Sequence, residues 1–235
     1  MILTGHQPNY WPYPGLLAKI NQADVFVYVS EVQLNKQSWQ TRNQIKTHDQ
    51  TIWLCVPVCT SSNYHESIRN ITINNSVAWG RKSWRTIREN YCRADFFSEY
   101  SGFLEDLYSR KWEKLNELDI YIMNFLIKEL NITTRVLYDT DLELHGSKTD
   151  LLVDMCRKTD CDTYLSSRGS KAYLEIEKFT QVGLTHVYMD WICPEYTQLH
   201  GKFEPNLSML DMLLNVGKEE TEKIIKNRKI AFLAS

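Results

Sequence analysis

The chain has no Cys-x-x-Cys pair, no long hydrophobic run, no excess of positive charge and no Gly/Ser-rich tract. Each absence excludes a class of protein. The six cysteines (Cys55, Cys59, Cys92, Cys156, Cys161 and Cys193) are scattered, without histidines at ligand spacing, so the four closely supplied ligands of structural zinc are missing and no metal is expected. Thiols used in this way fit reduced core or surface positions. Apolar stretches such as residues 25–29 are far too short to span a bilayer. Residues 1–8 have neither a basic n-region nor an apolar h-region, so they do not read as a signal peptide, and the expected location is the cytoplasm. Lys plus Arg number 27 against 29 Asp plus Glu, a formal net charge of −2, which argues against a general nucleic-acid or membrane-surface binder. Charge must therefore act locally. With 9 Gly and 6 Pro, and with no linker or repeat, residues 1–235 are expected to form one unit.

What is present is an ordinary globular composition, 43% apolar and 24% charged, enriched in aromatics: 7 Trp and 13 Tyr. A flat apolar face with a polar edge suits sugar or nucleobase stacking, and it serves a large core equally well.

The first third reads as strands and loops. Residues 23–29 and 51–58 are apolar at nearly every position, as in strands covered on both faces, and 71–73 is a shorter candidate. The middle reads as helical. Trp84, Ile87 and Tyr91 are spaced three and four apart, and the apolar spacing over 96–131 predicts two further helices, so about 79–131 is expected to be a helical insertion. Strands then alternate with helices: strand 134–138, a helix started and capped by Ser147, strand 163–166, helix 172–182 closed by Gly183, strand 184–189, and helix 207–216 followed by Gly217. This rhythm predicts an α/β fold with a mostly parallel sheet covered by helices, whose ligands gather beyond the carboxyl ends of the strands.

Four segments fall at such strand ends. In residues 6–15, three prolines hold a loop carrying His6, Gln7, Asn9 and Tyr10, and His6 is placed where an unperturbed imidazole would serve proton transfer. A proline-pinned turn is the plainer reading. In residues 31–46, amides surround Lys36, Arg42, Lys46 and Trp39, a set that can clamp a phosphate or carboxylate and stack a ring, or form an exposed polar hairpin. Ser166, Ser167 and Lys171 lie where a strand runs into a helix, a pattern that fits an anion site or plain helix capping, but the P-loop pattern is absent. Tyr196 and Gln198 follow the next strand and either complete a pocket or shape a loop between Pro194 and Pro205. The Trp-containing basic cluster 81–85 reads as a solvated helix face.

Taken together, His6-Gln7-Pro8-Asn9-Tyr10 with Pro12 and Gly15, Lys19-Ile20, Ala23-Asp24-Val25-Phe26-Val27, Val32-Gln33, Ser38-Trp39-Gln40, Arg42-Asn43 and Ile45-Lys46 resemble the opening of the WbqC-like protein family. The likeness continues through Thr86-Ile87, Tyr91, Lys148-Thr149-Asp150, Tyr164-Leu165-Ser166, Tyr196 and Gln198. It ends in Phe203, Pro205, Leu207-Ser208, Asp211 and Asn215-Val216-Gly217, covering nearly the whole chain. The resemblance implies a place in bacterial surface-polysaccharide (O-antigen) or modified-sugar biosynthesis, with acyl or aminoacyl transfer to an amino sugar as the suspected chemistry.

Residues and resemblance together lead to an expected transferase that moves an acyl or aminoacyl group from an activated donor, such as a carrier-protein thioester, to the amine of a nucleotide-linked amino sugar. No tightly bound cofactor is expected. His6 is the candidate base; Gln7, Asn9 and Asn43 are the oxyanion donors; Lys36, Arg42 and Lys46 hold the diphosphate; Trp39 or Tyr10 stacks on a ring. Gln33, Ser166, Ser167, Lys171, Tyr196 and Gln198 complete the expected substrate-binding set. No cysteine falls in a matched motif, which disfavours a covalent thioester, while Ser166 and Ser167 leave an ester open without an evident partner base. Two alternatives stand beside this reading: an ATP-dependent ligase or nucleotidyltransferase, and a non-catalytic sugar-nucleotide-binding partner protein.

Overall fold

The computed structural model describes residues 1–35, 38–59 and 66–226, and the backbone of 232–234. Strand β1 (Ile2–His6) leads through the proline loop to α1 (Pro14–Asn21), whose first residue is a proline already set at a helical φ. Strand β2 (Val25–Tyr28) is buried at all four positions, as its Val-Phe-Val-Tyr run predicts. Strands β3 (Arg42–Lys46) and β4 (Thr51–Cys55) form a separate antiparallel pair. Helices α2 (Trp79–Tyr91), α3 (Phe97–Ser109) and α4 (Leu115–Glu129) fill the middle of the chain, as expected. Then follow β5 (Arg135–Tyr138), α5 (Thr149–Lys158), β6 (Thr163–Ser167), the four-residue α6 (Glu177–Thr180), β7 (Thr185–Met189), α7 (Met209–Lys226) and β8 (Phe232–Ala234).

The main sheet has the order β5-β2-β1-β6-β7-β8, parallel throughout except for the antiparallel β8. The chain builds outward from β1 through β2 to β5, then crosses back to lay β6 and β7 on the other side of β1. The order therefore reverses between β1 and β6, where open α/β sheets form a ligand crevice. Direct pairing of β1 with β6 covers Ile2↔Thr163 and Leu3↔Tyr164, and the Thr4 hydroxyl then donates to the Leu165 carbonyl at 2.8 Å. One apolar layer joins α1, α2, α3, α4 and α7 to one side of the sheet; Val153, Met155, Cys156 and Phe179 of α5 and α6 cover the other.

Several expected elements differ. Residues 51–58 are not a strand covered on both faces: β4 pairs only with β3, and Trp53 is 40% exposed, because this hairpin lays one face on the core. Residues 71–73 are tied by isolated bridges, Val58↔Ile73 and Thr72↔Lys114, rather than a continuous strand. The expected helix over 172–182 is a 3₁₀ turn, Arg168–Ala172, followed by the short α6. Its apolar side is one buried residue, Phe179, and the Glu175 amide leaves the helical pattern to donate to the Thr149 hydroxyl. Ser147 does not cap α5 with its side chain; its carbonyl accepts from the Asp150 amide, and Lys148 takes the capping position at φ 51°. The break expected at Gly217 is present, at φ 70° and ψ −178°, but helix resumes beyond it to Lys226.

Candidate functional site

The crevice between β1 and β6 opens into a cavity of about 550 Å³ at the carboxyl ends of the strands. On the β1 side its wall is made by Gly5, His6 and Gln7. Gly5 leaves room here, since a Cβ would stand 3.1 Å from Met155 Sδ and 3.3 Å from Val29 Cγ2. His6 Nδ1 lies 2.8 Å from the Gln7 carbonyl oxygen, which can only accept, so Nδ1 carries the proton and Nε2 keeps its lone pair. Burial, reinforced by the charge of Lys19, pushes the imidazole pKa down to about 3. The near-neutral titration of an unperturbed histidine is thus replaced by an imidazole that is neutral through the physiological range.

Lys19 comes from α1, among Leu16, Leu17 and Ile20, all essentially inaccessible. It is itself 3% exposed, donates to the Gly5 carbonyl at 3.4 Å, and has its pKa lowered by burial to about 7. The lining also includes Lys148, at the start of α5, with Leu151 and Leu152 of the same helix. Lys19 and Lys148 are the charged side chains of the described lining, which contains no Asp or Glu. The cavity is therefore electropositive in a protein whose net charge is −2.

From β6 the cavity receives Ser166 and Ser167. The Ser166 hydroxyl lies 2.9 Å from Nε2 of His186, a buried residue of β7 paired in register with Tyr164. The imidazole sits against Tyr188 and Phe179, with ring centroids at 4.5 and 5.1 Å, and burial lowers its pKa to about 4. The Ser170 hydroxyl donates to the Ser167 carbonyl at 2.8 Å.

The other expected residues distribute around this cavity. Asn9 and Tyr10 are buried beneath the loop, and the Tyr10 and Tyr108 hydroxyls meet at 2.6 Å. Gln40 ties the two candidate loops together, donating to Gln7 Oε1 at 2.8 Å. Gln33 lines an adjoining cavity of about 570 Å³ that shares Lys148. Lys36 lies outside the described residues. Trp39 is exposed and stands 5.7 Å from Trp53, over which the Arg42 guanidinium is placed at 4.2 Å. Lys171 stands over the Tyr188 ring at 5.0 Å, outside the lining.

Asn43, Lys46, Tyr196 and Gln198 are brought together elsewhere. Asn43 donates to the Trp11 carbonyl at 2.6 Å. The Lys46 ammonium donates to Gln198 Oε1 at 2.8 Å and to the Lys202 carbonyl, and its backbone amide donates to the Tyr91 hydroxyl. The Tyr91 and Tyr196 hydroxyls in turn donate to the buried Asp211 of α7, at 2.6 and 2.7 Å. These bonds fasten β3 to α7, and none of the four residues lines the cavity.

Sequence reasoning missed three residues of the site. Lys19 left a signal, a lone charge inside the apolar run Leu16-Leu17-Ala18-Lys19-Ile20. Lys148 lay within a matched motif but carried no role, and His186 has no local signal, since its partner is 20 residues away on the neighbouring strand.

Among the described residues no group of three or more His, Cys, Asp or Glu side chains could hold a metal ion, and no helix is long and apolar enough to cross a membrane. The profile of the WbqC-like protein family matches residues 7–223. The chain is 32% identical over 215 residues to the uncharacterized protein Rv1507c of Mycobacterium tuberculosis, covering 91% of this chain and 93% of that one. No solved structure gives a significant match. The chain belongs to the WbqC-like protein family.

Proposed function

We propose that the protein transfers an acyl or aminoacyl group from a thioester donor, such as an acylated carrier protein, to the amine of a nucleotide-linked amino sugar. The observation that carries this reading is the pairing, in one crevice, of a neutral His6 with two lysines and no carboxylate. An amine attacking a carbonyl becomes strongly acidic as the C–N bond forms, so a weak base held in place is sufficient to remove its proton, and His6 Nε2 supplies that lone pair. Lys19 and Lys148 serve a diphosphate better than Arg42 and Lys46, which are engaged by Trp53 and by Gln198. The exposed Trp39 offers a stacking surface for a base or sugar ring next to the loop that Gln40 ties to Gln7.

The ligase reading needs magnesium with ATP, and the described lining offers the metal no carboxylate. A binding-only partner needs no base at His6. Three measurements separate them: thermal shift with nucleotide-linked amino sugars and with magnesium-ATP, amide formation from an acyl thioester, and pyrophosphate release. The transferase raises its melting temperature with the amino-sugar nucleotide, forms amide without ATP, and loses turnover but not binding in His6→Ala. A shift with magnesium-ATP alone, together with pyrophosphate release, replaces this reading with the ligase. Binding without turnover under every donor replaces it with the partner protein.

A further inference from the structure

We infer that Ser166 is a covalent nucleophile, activated by His186, that carries the acyl group as an ester between donor and acceptor. The inference rests on the acyl-transfer reading for its natural donor, but its geometry stands independently. Direct β1–β6 pairing stops at Leu3↔Tyr164, so Ser166 lies beyond the ladder and lines the crevice. In the β6–β7 register Tyr164 faces His186 and Ser166 faces Tyr188, which puts Ser166 and His186 diagonally on one sheet face. The resulting contact, 2.9 Å from Oγ to Nε2, is the separation that a nucleophile and its base require. Rings on two sides hold the imidazole in place. The Ser170 hydroxyl is engaged with the Ser167 carbonyl, and none of the described lining residues is a cysteine. Ser166 is thus the lining hydroxyl that has a base.

In the first step Ser166 Oγ bonds to the thioester carbonyl carbon as its proton passes to His186 Nε2. The carbon–sulfur bond then breaks, and the sulfur leaves as thiol with that proton. In the second step the sugar amine bonds to the ester carbon and gives its proton to His186 Nε2, which returns it to Oγ as the carbon–oxygen bond breaks. The products are amide and thiol, and serine and imidazole are regenerated. On this route the amine's proton goes to His186 rather than to His6, whose Nε2 instead orients the amine by accepting a hydrogen bond from it, so that His6→Ala still lowers turnover.

The test uses the full chain and p-nitrophenyl acetate, an activated acyl ester that presupposes no natural substrate. The expected result is a stoichiometric burst of p-nitrophenolate and a one-acetyl mass gain mapped to Ser166, released by neutral hydroxylamine as an ester is and a lysine amide is not. Ser166→Ala removes burst and label. Ser166→Cys restores a hydroxylamine-labile label, which guards against a folding defect in the alanine variant. His186→Gln slows labelling by about 100-fold or more without moving its position. Label confined to Lys19 or another residue, or no burst, overturns the inference. So does amide formation from a thioester at the wild-type rate in Ser166→Ala, a result that leaves the transferase reading intact. Labelled Ser166 with no transfer to any amino-sugar nucleotide upholds the nucleophile and removes the transferase reading instead.

Discussion

The Lys19 ammonium donates to the Gly5 carbonyl from a helix position surrounded by leucine and isoleucine, and its burial brings its pKa down to about 7. An ammonium has three donors, so the bond to Gly5 leaves Lys19 with capacity to bind an anion. The same charge is the second cause, after burial, of the low His6 pKa.

Lys19→Met is therefore expected to raise the His6 pKa above about 3 while leaving it below 6.5, because burial, the larger cause, remains. Side-chain NMR titration of the histidines checks this. Affinity for an amino-sugar nucleotide should fall about 10- to 100-fold, the loss of one buried charged hydrogen bond. An unchanged affinity removes Lys19 from the anion site.

Lys19 also gives a stability signature. The unfolded chain holds this proton up to 10.5 and the folded chain only up to about 7, so the unfolded state binds more protons between those values and wild-type stability rises with pH across that window. The gain in melting temperature of Lys19→Met over wild type should be largest below pH 7 and shrink toward pH 10.5.

Acid acts through the imidazoles of the half-buried His6 and the buried His186. His6 and His186 titrate at about 3 and 4 in the fold and near 6.5 when unfolded, so their contribution is complete above pH 6.5 and is lost as pH falls toward 3. At about 1.36 kcal/mol per pKa unit, His6 accounts for on the order of 5 kcal/mol and His186 for on the order of 3 kcal/mol. Urea melts at stepped pH should show the fall, and His186→Phe should flatten its part of it. A profile level from pH 6.5 to 4 contradicts the burial of both rings.

Lys46 and Lys148 should separate fold from binding. Lys46→Met breaks the bonds to Gln198 and the Lys202 carbonyl and should cost about 1–3 kcal/mol of stability with nucleotide-sugar affinity unchanged. Lys148→Ala should weaken that affinity with little change in melting temperature. The reverse pattern would return the diphosphate to the β3 hairpin.

Gly217 breaks α7 in a left-handed conformation, and a Cβ there would stand 2.4 Å from the Phe96 ring. Gly217→Ala should destabilise by about 1–3 kcal/mol from backbone strain, plus a comparable overpacking cost of about 1–3 kcal/mol. Adding Phe96→Ala should recover the packing part alone, and a double-mutant cycle in urea measures it.

The sequence by itself determined the architecture: buried hydrophobic runs such as 25–28, alternation of strand and helix after residue 134, and helical spacing from 79 to 129 dictate a parallel sheet with helices on its faces and an insertion between. These are local patterns, set by side-chain periodicity within a dozen residues. It also located the His6-Gln7-Pro8 loop and the Ser166-Ser167 strand end, since both abut apolar strands. What only the tertiary structure decided was which polar groups share a cavity. Lys46, Tyr196 and Gln198 read as binding residues, yet they are bonded into the link between β3 and α7; Lys19, Lys148 and His186 carried no assigned role, yet they stand at or behind the cavity wall. The reason is geometric. The crevice exists because strand order reverses between β1 and β6, and the His186–Ser166 contact exists because β6 and β7 pair in one register, and both depend on contacts between distant parts of the chain.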